Sequence, residues 1–242
     1  MLRKGDLTQG GIITTLLQFT LPMLAGSLLQ QCYNIADTLI VGQCIGANAL
    51  AAVGSAYTLM VFLISILLGL SMGSGTVFSL QYGAGDLSAL RRSIYVSLLL
   101  IGTVTILLNV AVFLWLDPIL RWLQVPYDIY SLMRNYLWII FWGIVFTFLY
   151  NFYAALLRAV GDSVTPLWFL AVSVVLNIGL DLFLILVLDQ GIEGAAVATV
   201  IAQGTAASGI LLYTYKTRPE LRLHREDMCF DRSSLRAVSY TH

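Results

Sequence analysis

Apolar residues run along this chain in long blocks, separated by short polar links where glycine, proline and charged residues gather. A bilayer core about 30 Å thick takes roughly 20 apolar residues of helix to cross, so each block reads as a spanning helix. Six are expected: Ile12–Val41, Tyr57–Tyr82, Ser93–Leu116, Ile129–Leu157, Thr165–Leu188 and Gly191–Tyr215. The links between them, GQCIGANALAAVG, GAGDLSALRR, DPILRWLQVPYD, RAVGDSVTP and DQGIEG, are rich in turn formers. The expected fold class is an all-α, multi-pass membrane protein. Two runs of small residues, Gly69–Gly75 and Gly194–Gly209, let helix backbones approach closely and argue for a compact bundle.

Composition points the same way. Of 242 residues, 59% are apolar and 11% charged, with a mean hydropathy of +0.85; a soluble domain of this size could not hide so much apolar side chain. Basic and acidic residues balance at 13 each, which leaves no electrostatic footprint for nucleic acid, so the partner is the lipid bilayer. Cys32, Cys44 and Cys229 are too scattered for a disulfide framework or a metal site. Arg3 and Lys4 before the first apolar run imitate a secretory signal, but the run continues to Asp37, so it is read as a first span that also serves for targeting.

Orientation follows from the basic residues, which stay cytoplasmic in short loops. With the amino terminus inside, the inner segments hold Arg3, Lys4, Arg91, Arg92, Arg158, Lys216, Arg218, Arg222 and Arg225. The outer links hold Arg121, with Arg134 near the start of the fourth span. Catalytic constellations do not emerge. His224 and His242 follow the last span, and GLSMGSG lacks the lysine of a phosphate loop, so no enzyme is expected.

The conspicuous chemistry lies inside the apolar runs. Gln30, Tyr33, Asn34 and Asp37 fall within roughly a 100° arc of the first helix. Ser173, Asn177 and Asp181 follow one another at i, i+4 and i+8 on the fifth span. An ionisable group at membrane depth costs a few kcal/mol, so it usually faces a wet cavity or a partner. At about 1.5 Å per residue, Asp37, Asp181, Thr199 and Tyr136 lie roughly 6 to 12 Å below the outer ends of their spans, in one layer. They could therefore converge on one pocket. Alternatively, Asp37 sits in the headgroup region and Asp181 is tied to a neighbouring helix by hydrogen bonds. A proton or a metal cation is the natural counter-charge, Arg134 being the one basic residue near that depth. Pro22 bends the first span, either as a static kink or as a moving hinge.

These residues also carry a family likeness. FTLPMLAGSLLQQCYNIADTLIVGQCIGANALAAVG and LLRAVGDSVTP resemble the first-helix and fourth-helix signatures of the multidrug and toxic compound extrusion (MATE) family, and the similarity runs through residues 5–218. The resemblance implies one six-helix lobe of a twelve-helix, two-lobed antiporter of the bacterial or archaeal plasma membrane. Such a protein exports cationic or amphipathic small molecules in exchange for H+ or Na+, without a cofactor. The family's cation site maps onto Asp37, Asn177, Asp181 and Thr199, with no dedicated metal centre but a possible Na+ there. The family's bending proline maps onto Pro22 and a fourth-helix tyrosine onto Tyr136; Gln30, Tyr33 and Asn34 are supporting polar groups. A fourth-helix asparagine of the family pattern falls on Ala154.

The resemblance further implies that residues 1–218 are the amino-terminal lobe and 219–242 the start of a cytoplasmic connector to a missing carboxy-terminal lobe. The closing VSYTH, residues 238–242, reads like one frame of a transposon end used in library preparation and is expected to be artefactual. Two competing readings stand beside the antiporter: a lipid-linked oligosaccharide flippase, which needs a wide basic cavity, and a non-transporting membrane scaffold. Specificity in such a pocket depends on aromatics such as Trp138, Trp142 and Tyr153, whose facing the sequence leaves open.

Overall fold

The computed structural model describes residues 12–223. Arg3, Lys4, His224, Arg225, Cys229, most of the expected connector and residues 238–242 lie outside them. Among the described residues, seven α-helices account for the six expected spans: α1 Ile12–Cys44, α2 Ala47–Gly83, α3 Leu87–Trp122, α4 Tyr127–Trp142, α5 Ile144–Ala159, α6 Val164–Leu182 and α7 Gly191–Thr217. The fourth span is two helices, α4 and α5, meeting at Gly143 with a bend of 47°. The fifth continues from α6 through a π-helical turn, Phe183–Val187, immediately after Asp181.

Length and apolarity alone qualify α2, α3, α6 with its π turn, and α7 to cross a bilayer, and the bent α4–α5 pair as a fifth span. At 33 residues α1 is long enough to cross as well.

Three expected boundaries move most, among them the start of α3, at Leu87 rather than Ser93. α2 begins at Ala47, ahead of the expected Tyr57, because ANALAAVGSA is rich in the helix former alanine, and its Ala49, Ala52, Val53 and Ala56 are buried. Towards its carboxy end α3 continues through Pro118 to Trp122, absorbing the proline with a kink at Trp115 (φ −112°, ψ 15°). Short links close the turns with side-chain caps. Asp86 accepts from the Ala89 N–H at 2.9 Å at the start of α3, and Asp162 accepts from the Thr165 N–H at 3.0 Å at the start of α6. Asp162 also receives Arg218 at 3.3 Å, tying the α5–α6 turn to the end of α7.

Between helices in lipid, attraction comes from close packing rather than from expelling water. α7 packs along α4, α5 and α6, and α2 along α3, α4 and α5, around a core that includes Phe78, Phe148 and Phe152. Gly209 is required: a Cβ there would come 2.7 Å from the Phe169 ring. α1 rests mainly on α6 and touches α2 less, so a cleft opens between α1 and α2.

Candidate cation site and cavity

That cleft encloses a cavity of about 690 Å³. Gln30, Tyr33, Asn34 and Asp37 line it from α1, Tyr57 and Ser65 from α2, and Ser173 from α6. The whole expected stripe on α1 therefore faces one chamber. The period of the helix turns these residues to the cavity, while Leu28, on the other side of α1, stays exposed.

Behind the cavity wall sits the acidic centre. Asp37 retains 8% exposure, whereas Asp181 and Asn177 have none. The two carboxyl groups are close enough to interact electrostatically. Asn177 donates to Asp181 Oδ2 at 3.0 Å and accepts from the Thr199 N–H at 3.3 Å, in the amide orientation its surroundings favour. The Thr199 hydroxyl is 3.3 Å from the Tyr33 hydroxyl, either of which can donate. Tyr136, also buried, lies within electrostatic reach of Asp37, Tyr33 and Asp181. Hydrogen bonds thus join α1, α6 and α7. Asp37 Oδ1 and Asp181 Oδ1 are buried and have no hydrogen-bond partner among the described residues. Orphaned carboxylate oxygens beside a hydroxyl and an amide suit a proton or a small hard cation such as Na+.

Several expectations are sharpened here. Asp37 is buried within the bundle. Arg134 is no counter-charge to the pair, because it is bonded to Asp117 at 2.8 Å and 3.3 Å. Trp138 and Trp142 stand on the outer surface, packed with Phe113, and Tyr153 packs on Phe152; the cavity's aromatics are Tyr33, Tyr57, Tyr136 and Tyr150. Ala154 is fully buried in the core, while Asn151, one turn earlier, lines the cavity. Pro22 lies within an unbroken α1.

The residues that sequence reasoning missed form a second polar group in the same cavity. Thr147 donates to Gln203 Oε1 at 2.7 Å, the Asn151 amide donates to the Thr147 carbonyl at 2.8 Å, and Tyr150 donates to the Pro166 carbonyl at 3.0 Å. Their spacing was a signal: Thr147 and Asn151 are one helical turn apart, and Gln203 stands one turn from Thr199.

The family model described as MatE matches residues 22–183. That stretch spans Pro22, Asp37 and both elements of the acidic pair, as far as the turn after Asp181. The chain belongs to the MatE family. Among its relatives, the Bacillus subtilis (strain 168) protein named "Probable multidrug resistance protein YpnP" is 37% identical over 211 residues, which is 87% of this chain and 47% of that protein. The Staphylococcus aureus (strain NCTC 8325 / PS 47) "Multidrug export protein MepA" is 31% identical over 213 residues, or 85% of this chain and 46% of that one. A solved MOP superfamily transporter from Pyrococcus furiosus shares the fold with a TM-score of 0.90 at 23% identity, over 98% of this chain and 53% of that one. This MatE chain therefore spans about half the length of the curated relatives it matches.

Proposed function

We propose that this chain is the amino-terminal lobe, residues 1–218, of a cation-coupled multidrug exporter of the plasma membrane, with its amino terminus in the cytoplasm. That the chain spans about half the length of its relatives supports reading it as one of two lobes. The observation that carries this reading is the pairing of Asp37 and Asp181 behind the wall of a large cavity, with an orphaned oxygen on each. Two like unit charges 4 Å apart repel by about 4 kcal/mol at an effective dielectric of 20. A proton or Na+ held between Asp37, Asp181, Asn177 and Thr199 removes that repulsion.

Exchange follows from linkage. A cationic or amphipathic compound in the cavity is attracted by the uncompensated carboxyls, and a coupling cation entering from outside removes that attraction. Each ligand therefore lowers the affinity for the other, and reciprocity makes the coupling work in both directions. Pro22 lies between the inner end of α1 and the acidic pair, where a change of bend would reshape the cavity as the charge changes. The names of YpnP and MepA, a multidrug resistance protein and a multidrug export protein, support the drug half of this reading. The groups that line the cavity are apolar, amide and hydroxyl, with Asp37 as the charge, which disfavours the lipid-linked oligosaccharide flippase.

Efflux of ethidium from cells expressing the full-length protein tests the proposal. Asp37→Asn and Asp181→Asn should each reduce efflux at least about tenfold at unchanged expression, one tenfold step being about 1.4 kcal/mol of lost coupling. Wild-type efflux in both variants would refute the site.

A further inference from the structure

The fourth span breaks without a proline, and the break is built from side chains of two other helices. At Gly143 the ladder tightens: the Gly143 N–H reaches Ile140 O at 2.8 Å, and the N–H groups of Phe146 and Thr147 both reach Gly143 O, at 3.0 and 3.1 Å. In an unbroken helix Phe141 O would accept from residue 145. Here it accepts instead from Asn109 Nδ2, on α3, at 2.7 Å. A carbonyl released from a helix within lipid needs such a donor. α7 meets the break at Gly143 itself, where a Cβ would lie 2.9 Å from Val200 Cγ2 and 3.3 Å from Gln203 Oε1. That same Gln203 oxygen accepts the Thr147 hydroxyl just past the break.

The bend separates two functions of one span. Its outer half, α4, carries Tyr136 against the acidic pair; its inner half, α5, carries Thr147 and Asn151 into the cavity. We propose that Asn109 and Gly143 are positioning residues that fix the bend of the fourth span, and so set the geometry of cation site and drug cavity together. The bend assignment stands on geometry alone, while its effect on drug and cation rests on the exporter reading above. Neither residue touches the cavity, so both act through the halves they hold.

The test uses purified full-length protein in a background of Cys32→Ser, Cys44→Ser and Cys229→Ser. Spin labels at Ser131→Cys on α4 and Val164→Cys after α5 span the bend; labels at Leu107→Cys on α3 and Val164→Cys do not. Asn109→Leu, which keeps size and removes the donor, should shift or broaden the first distance and leave the second unchanged. It should also weaken ethidium binding about fivefold or more, at the low end of ordinary coupling, and move the cation midpoint for ethidium release. Asn109→Gln, which retains an amide, should recover much of both, and Val200→Ala should partly relieve Gly143→Ala. An unchanged Ser131–Val164 distance in Asn109→Leu overturns the proposal, as does a changed distance with wild-type affinity and midpoint. If the wild-type protein binds no ethidium, the exporter reading fails there, and the distance measurement still decides the bend.

Discussion

Asn177 is the residue on which the acidic centre turns, because its amide meets both Asp181 and the backbone of α7. Asn177→Leu would leave Asp181 Oδ2 buried without that donor, and an unsatisfied buried polar group costs about 1–3 kcal/mol. Ethidium efflux should therefore fall about tenfold, and Asn177→Asp should not restore it, since a third carboxyl adds repulsion. Efflux assays at matched expression check this; wild-type rates in Asn177→Leu would contradict it. Asp37 and Asp181 were legible in the sequence, since a carboxylate inside an apolar run is conspicuous whatever surrounds it. Thr147 and Gln203 were not, since hydroxyl and amide groups are ordinary in spanning helices and the partners are 56 positions apart. Arg134 shows the opposite failure: depth made it a candidate counter-charge, but Asp117 on the neighbouring helix had already claimed it.

At the scale of elements, apolar block length located every span, because the bilayer imposes it. Boundaries and bends were harder to read. The start of α2 is set by burial of small alanines, and the break at Gly143 depends on Asn109, Val200 and Gln203 from other helices. The α2–α3 link can be tested through its cap. The Ala89 N–H, followed by the Ser88 hydroxyl, holds the Asp86 carboxyl below the ordinary aspartate range. A depressed folded value means that the cap's contribution is present above the unfolded value, about 3.9. It is lost as pH falls through the lower folded value. Amide exchange at Ala89 should thus stay slow down to that range and quicken below it, whereas Asp86→Ala should exchange fast throughout. Protection equal to wild type in Asp86→Ala would contradict the cap assignment.

For the whole molecule, orientation and coupling are the quantities at stake. An inside amino terminus, expected from the basic residues of the short links, would place the α1–α2 link outside. Cys44, exposed at the end of α1, should then be labelled by a membrane-impermeant maleimide added to intact cells, in a Cys32→Ser, Cys229→Ser background. Labelling only after membrane disruption would reverse the orientation. The bundle, the cavity and the family were readable from one lobe's sequence. The closeness of Asp37 to Asp181 was not, since depth along each helix says nothing about rotation or tilt between helices.

The most direct test of that closeness is cation release on drug binding. Ethidium added to purified full-length protein in weak buffer, with a pH electrode and a Na+ electrode, should displace H+ or Na+ as it binds. Asp181→Asn should still bind the dye and displace neither. Dye binding by the wild-type protein with no release of either cation, or equal release by Asp181→Asn, would contradict the account.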